Sequence, residues 1–255
     1  MTADSMLEEA RRIVEKGTQN GITLRLMGAA AVQTHCPNYL SLHKSMGREL
    51  TDLDFMSYSK YYKKVGMLFQ EEGYAQVKSG YAMAISSHGE RYLFEDLTRH
   101  RHADVFFDRL KMCHTIEFKG RLETDYPTIS LADLLLEKTQ IVKINEKDVK
   151  DVVIMFREHD VGTTDKETIN QAYIADRLSK EWGFYYTVTN NLKGVKDYTL
   201  KAPQLMEEDR RDIEGKIDAT LDAIEKEPKT MGWNMRAKVG TRKKWYDDVE
   251  ETPAL

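Results

Sequence analysis

Two aspartates, Asp52 and Asp54, stand two positions apart in Arg48-Glu49-Leu50-Thr51-Asp52-Leu53-Asp54-Phe55. The stretch has strand character, and strand side chains repeat every two residues, so both carboxylates leave one face of the chain. Carboxylates this close repel, and one pKa rises unless a cation sits between them. Mg²⁺ suits such a pair, because it is held through one or two carboxylates together with substrate phosphates. Upstream, Leu24-Arg25-Leu26-Met27-Gly28-Ala29 reads as a strand that breaks at glycine into a helix. The free N–H groups and dipole at such a helix start favour an anion. The pattern points to a metal–nucleotide site.

The elements that must position these residues follow from periodicity and punctuation. Ser5-Met6-Leu7-Glu8 reads as a capping box opening a helix to about Gly17. Ile22 to Met27 is a short strand, and Ala29 to His35 begins a helix. Cys36 to Gly47 reads as a loop, from Pro37, Asn38 and Gly47. Thr51 to Met56 is the carboxylate strand, and Lys60 to Gln70 is helical until Gly73. Tyr74 to Val77, Tyr81 to Ile85, Arg91 to Glu95 and His102 to Phe107 read as an antiparallel meander with turns at Lys78-Ser79-Gly80 and Ser87-His88-Gly89. Thr115 to Phe118 adds one more strand. After Pro127 the period becomes helical. Ser130 reads as the N-cap of a helix to about Val142, and Glu146 to Arg157 is a second. Thr164-Asp165-Lys166-Glu167 reads as a capping box for a third, to about Trp182. A fourth runs from about Leu205 to Glu225, with Ile213, Ile217, Leu221 and Ile224 as its stripe. The expected fold is α/β (α+β) in residues 1–125, followed by a helical region in 126–255.

Composition narrows the function classes. The 255 residues are 31% charged and 41% apolar, a globular balance. A net charge of −4 offers no global attraction to nucleic acid or anionic lipid, so such a partner needs a local patch. The two cysteines, Cys36 and Cys113, make neither a disulfide scaffold nor a zinc ribbon, which fits a reducing cytoplasm. Met1 to Lys16 has no apolar stretch of signal-peptide type, and no apolar run reaches the roughly 20 residues of a membrane span.

Gly28-Ala29 after a strand, then Asp52-x-Asp54, then a lone acid on a later strand, Asp104 in His102-Ala103-Asp104-Val105-Phe106, resembles the nucleotidyltransferase superfamily typified by DNA polymerase beta. The nearer likeness is to the AbiEii-type branch, the nucleotidyltransferase toxins of abortive-infection systems. There an Arg precedes the acidic pair, as Arg48 does here. A helix with a Lys and a following helix with Asp-x-x-Asp complete the pattern, matched by Lys138, Asp148 and Asp151. The likeness spans roughly residues 20–158 and implies a mixed β-sheet with flanking helices. It implies that Asp52, Asp54 and Asp104 hold Mg²⁺ (or Mn²⁺) and do the catalytic work. It implies that Gly28, Ala29, Arg48, Lys138, Asp148 and Asp151 serve the nucleotide. The implied reaction is transfer of NMP from an NTP, ATP among them, to a hydroxyl of RNA, tRNA or protein, with a helical domain closing over the nucleotide and a cognate antitoxin as partner. Asp108 and Asp96 stay open as the third ligand. Two features depart from the family. Ala29 stands where Gly or Ser is usual, and the 24 positions from Gly28 to Asp52 are more than usual, with the extra residues expected to form a loop over the site.

Two rival readings follow: a non-catalytic nucleotide-binding or regulatory protein with this fold, and a small-molecule adenylyltransferase of the aminoglycoside type. His100, His102, Asp104, Cys113 and His114 suggest zinc by type, but their spacing matches no standard site. Lys226 to Lys244 carries seven basic residues against one acid, Glu227, with Trp233 and Trp245 in or beside it. Such a stretch could grip RNA by phosphate contact and stacking, or be a solvated tail balanced by Asp247, Asp248, Glu250 and Glu251.

Overall fold

The computed structural model describes residues 3–77 and 91–249. The expected strand at Tyr81 to Ile85 and both flanking turns lie outside the described residues. The chain forms two compact units, Met1–Leu110 with Glu117–Ser130, and Lys111–Ile116 with Leu131–Leu255. The division differs from a cut after residue 125. The N–H of Leu26 donates to the Pro127 carbonyl (2.9 Å) and that of Ile129 to the Leu26 carbonyl (2.9 Å), which ties residues 127–129 alongside the first strand.

The first unit contains α1 (Ala3–Gln19), so Ser5 lies within the helix and not ahead of it. β1 (Leu24–Met27) and α2 (Gly28–His35) follow. The expected loop is instead a 3₁₀ turn, Pro37–Tyr39, and α3 (Leu40–Ser45). Next come β2 (Leu53–Ser57), a 3₁₀ turn at Ser59–Tyr61, α4 (Tyr62–Glu71), β3 (Ala75–Gln76), β4 (Arg91–Asp96) and β5 (Arg101–Phe107). β6 (Arg109–Lys111) and β7 (Thr115–Glu117) form a two-stranded ribbon. The sheet order is β1-β2-β5-β4-β3. β2 and β5 are parallel and the other neighbours antiparallel, so the sheet is mixed, as the fold-class reading expects.

Alternation divides the sheet into two faces. Leu53, Phe55, Val105 and Phe107 are buried on one. There Phe69 of α4 stacks on Phe94 (4.4 Å, 14°) and meets Phe55 edge-on (5.3 Å). Residues of the opposite parity, Asp54, Asp104, Arg91 and His102, belong to the other face, which is only partly covered.

The second unit contains α5 (Leu131–Thr139), α6 (Glu146–Glu158), α7 (Gln171–Leu178), α8 (Trp182–Thr199), α9 (Glu207–Lys226) and α10 (Met231–Val239). β8 (Asp160–Gly162) and β9 (Thr168–Asn170) pair in parallel. α5 stops before Val142 because the Asn191 amide takes the Thr139 (2.8 Å) and Ile141 (2.7 Å) carbonyls. The capping box expected at Thr164 is absent: Glu167 has φ +56° and β9 begins behind it. The helix opens instead at Asn170, whose side chain accepts from the Tyr173 N–H (3.1 Å). α8 and α10 have no counterpart in the sequence reading. α8 is buried on several sides, which erases a one-sided apolar period. In α9, Ile213, Ile217 and Ile224 are buried as the stripe requires.

Ion pairs on buried carboxylates tie α1 to the β4–β5 region and to the end of α4. Glu9 meets Arg99 and Arg101, Asp96 meets Arg99, and Glu72 meets Arg12 and Lys16. Burial alone would raise the Glu72 carboxyl, but Lys16 and Arg12 outweigh it and hold it below the usual range. Burial opposes Asp96 similarly, and the N–H groups and side chain of Arg99 prevail. A carboxylate whose pKa is depressed by folding stabilises above its unfolded value of roughly 4, and that stability is lost as pH falls through the folded value. Thermal melts followed by circular dichroism should therefore show a steep loss of Tm below about pH 4. Glu72→Gln should lower Tm at neutral pH and flatten this acid limb. An unchanged limb would remove Glu72 from the account.

Candidate functional site

The site in the first unit is built on the junction of β1 and α2. Gly28 ends the strand with φ +63° and starts the helix. A Cβ added there would lie 2.3 Å from Asp54 Oδ2, so the glycine backbone rests directly against that carboxylate. The approach follows from pairing, since Met27 is the Cα partner of Asp54 across β1 and β2. Asp54 in turn pairs with Asp104 across the parallel β2 and β5, which brings two carboxylates to one face. Asp52 precedes β2, is exposed, and accepts from the Thr51 hydroxyl (3.0 Å).

Asp104 is the electrostatic focus. Its carboxylate is held by the Arg91 guanidinium, which also lies over the Phe106 ring at 4.8 Å. Burial pushes the Asp104 carboxyl above its ordinary range; Arg91 opposes this, and the charge of Asp52 adds to it. Asp52 therefore belongs to the same field as Asp104. Arg91 was not among the sequence candidates. Its signal is alternation: Leu93 is the partner of Asp104, and Arg91, two residues earlier, shares that face. The signal is legible only once the strand pairing is known.

The remaining first-unit candidates are backbone-centred. Ala29 is buried one residue into α2 and has no side-chain polar group to offer. Arg48 is buried and donates to the Glu49 carbonyl, bracing the turn that leads to Asp52. Of the alternatives for a third acid, Asp96 is taken up by Arg99, and Asp108 accepts from the Ser59 N–H (3.0 Å). His114, in the zinc-type set, is bonded to Thr187 (2.8 Å) in the second unit.

Lys138, Asp148 and Asp151 come together within the second unit. The buried Lys138 ammonium lies 3.1 Å from Asp148 Oδ1 and 3.0 Å from Asp151 Oδ2, with Glu137 at 3.9 Å. Burial favours the neutral amine, but Asp151, Asp148 and Glu137 together win and raise its pKa. Asn145 caps α6 by accepting from the Asp148 N–H (2.8 Å) and donates to the Asp148 carboxylate (2.8 Å), which fixes that acid for the lysine.

No protein-family model matches the chain, and no curated protein matches it either. The site is read from its own chemistry. All its acidic groups are hard oxygen donors of the kind Mg²⁺ takes. Among the described residues, however, no three His, Cys, Asp or Glu side chains are grouped to hold a metal ion. The donor types fit; Arg91 already neutralises Asp104.

Two variants test these placements. Gly28→Ala should destabilise by about 1–3 kcal/mol in chemical denaturation, from positive φ and the clash with Asp54. Adding Asp54→Ser should relieve the clash but not the backbone strain; a neutral Gly28→Ala would deny the close approach. Lys138→Met removes the counter-cation of the buried Asp151 carboxylate and should cost about 3–5 kcal/mol. Asp151→Asn in the same chain should return part of that loss, and strict additivity would mean the groups are uncoupled.

Proposed function

We propose that the protein is a Mg²⁺-dependent nucleotidyltransferase of AbiEii-like type, moving NMP from an NTP to a hydroxyl of RNA or protein. The observation that carries this reading is the junction where Gly28 at φ +63° lies on Asp54, itself in register with Asp104. In the reaction the acceptor oxygen bonds to the α-phosphorus, the bond to the β-phosphate oxygen breaks, and pyrophosphate leaves. A bound metal supplies charge neutralisation at the attacking and leaving oxygens. Asp52 and Asp54 would hold it. Asp104, whose pKa is raised by burial, is suited to take the acceptor proton. The N–H groups of Gly28 and Ala29, at the start of α2, would meet the triphosphate. Arg48 would hold the acidic turn in place.

A second reading, a non-catalytic nucleotide-binding protein, is favoured by one observation: Arg91 is already the counter-cation of Asp104. The test separates the two. The protein is incubated with Mg²⁺, each α-labelled NTP, and total cellular RNA or protein. The proposal expects label in one pool, with Asp52→Asn and Asp54→Asn each reducing transfer by more than roughly 100-fold, beyond the loss typical of outer-sphere changes at metal sites. Thermal stabilisation by Mg²⁺ plus NTP without any transfer of label supports the second reading. Full activity in both aspartate variants rejects the site.

A further inference from the structure

All three tryptophans of the chain, Trp182, Trp233 and Trp245, line one cavity of about 540 Å³ formed wholly within the second unit. That volume lies inside the roughly 300–1,000 Å³ range of small-ligand sites. Three segments build it: residues 113–115, residues 180–183 and the chain from 232 to 247. The last segment is held in place by specific contacts. Its carbonyl at Trp245 lies so close to Gly183 that an added Cβ would approach it to 2.5 Å. The N–H of Asp247 donates to the Cys113 carbonyl (3.0 Å), and the Trp245 indole N–H donates to the Thr187 hydroxyl (3.1 Å). Arg236 donates to the carbonyls of Gly240 (2.6 Å) and Lys243 (2.7 Å) and covers the Trp182 ring at 4.8 Å. The basic stretch is therefore a wall of a cavity, not a free tail.

The aromatic rings divide into two kinds. Trp182 is buried, with Tyr186 stacked on it (5.0 Å, 20°) and Arg236 over its ring, so it is structural. Trp233 and Tyr246 are partly exposed and make only edge contacts with other rings, to Tyr185 (73°) and Trp245 (72°). Each also has a lysine near its ring, Lys229 at 5.8 Å and Lys244 at 5.0 Å, but Lys229 is bonded to the carbonyls of Ile224, Glu225 and Glu227 and Lys244 is paired with Asp248 (2.5 Å). Lys243, at the rim, is exposed, and its ammonium makes no hydrogen bond or ion pair among the described residues. Two carboxylates also line the cavity. Glu181 is engaged by Arg177 (3.3 Å) and His114 (3.5 Å), which leaves Asp247 to oppose an anion.

We infer that this cavity binds a nucleotide unit, the base stacked on Trp233 or Tyr246 and the phosphate on Lys243. Partly exposed rings in one lining with the exposed Lys243 match what a planar, anionic ligand requires: stacking from one group and charge from another. The inference goes beyond the transferase reading and does not rest on it. The nucleotide can come from a single strand or be free, and the two are told apart by the probe.

Because every tryptophan lies in the cavity, intrinsic fluorescence reports on it directly. The full chain is titrated at low salt with an eight-residue oligo(U), with UMP and AMP, and with a duplex RNA of equal length. Saturable quenching by oligo(U) well below the mononucleotide concentrations assigns a strand; equal quenching by UMP or AMP assigns a free nucleotide. Tyr246→Leu should weaken binding by at least about fivefold, the loss expected for one stacked base. For oligo(U), Lys243→Glu should weaken binding and make log K against log salt shallower by about 0.7. Circular dichroism checks that both exposed-site variants keep the fold. No quenching by any probe overturns the inference, as does quenching unchanged in both variants or stronger for the duplex. NTP bound at the first-unit carboxylates would be insensitive to either variant, so the two proposals fail separately.

Discussion

The parallel pairing of β2 with β5 is the constraint on which the first unit depends. It sets Asp54 opposite Asp104 and, through the next strand, places Arg91 beside them. The same register turns Phe55, Val105 and Phe107 inward against α4. A slip of one residue would bury the carboxylates and expose the phenylalanines, so packing of the core enforces the geometry of the acidic face. Gly28 completes the arrangement from the other side of β2. Only a residue without Cβ, free to take φ +63°, lets α2 start against Asp54.

Charge is balanced internally in both units, in different ways. Arg91 neutralises Asp104, which burial otherwise pushes toward its protonated form. Lys138 is placed among three carboxylates, so its surroundings favour a cation over a free anion. Any phosphate reaching that lysine competes with Asp148 and Asp151. A ligand at the acidic face meets the converse situation, in which a metal competes with Arg91 for Asp104. Both competitions make binding responsive to ionic partners, and neither can be read from residue type alone.

The second unit uses its C-terminal part as structure. The segment after α10 closes over Gly183, and Arg236 joins it to Trp182 through carbonyl hydrogen bonds and a ring contact. The lysines of this stretch are thereby gathered beside partly exposed rings, which a flexible tail would not do.

By itself, the sequence determined the local features. The glycine that breaks β1 into α2, the start of α6 at Glu146 and the stripe of α9 are set by neighbours in the chain, and each is legible there, whereas Asp52 falls just ahead of β2 and only Asp54 keeps the strand period. The α/β class follows from those elements in order, whereas the parallel pairing of β2 with β5 that makes the sheet mixed does not. Tertiary structure alone decided the rest. Arg91 reaches Asp104 only because β4 pairs with β5, and residues 127–129 join the first unit only because β1 offers them free backbone groups. The helix expected from Thr164 gives way to β9, because strand pairing with β8 takes the backbone that a capping box would have used. α8 stayed hidden because burial on several sides removes the one-faced apolar pattern by which a helix is recognised. Lys138 found Asp148 and Asp151 through the packing of α5 on α6, and the tryptophans, far apart in the chain, share a cavity only after folding. Local chemistry depends on residues within a turn or two, whereas charge pairing and cavities depend on which distant segments burial brings together.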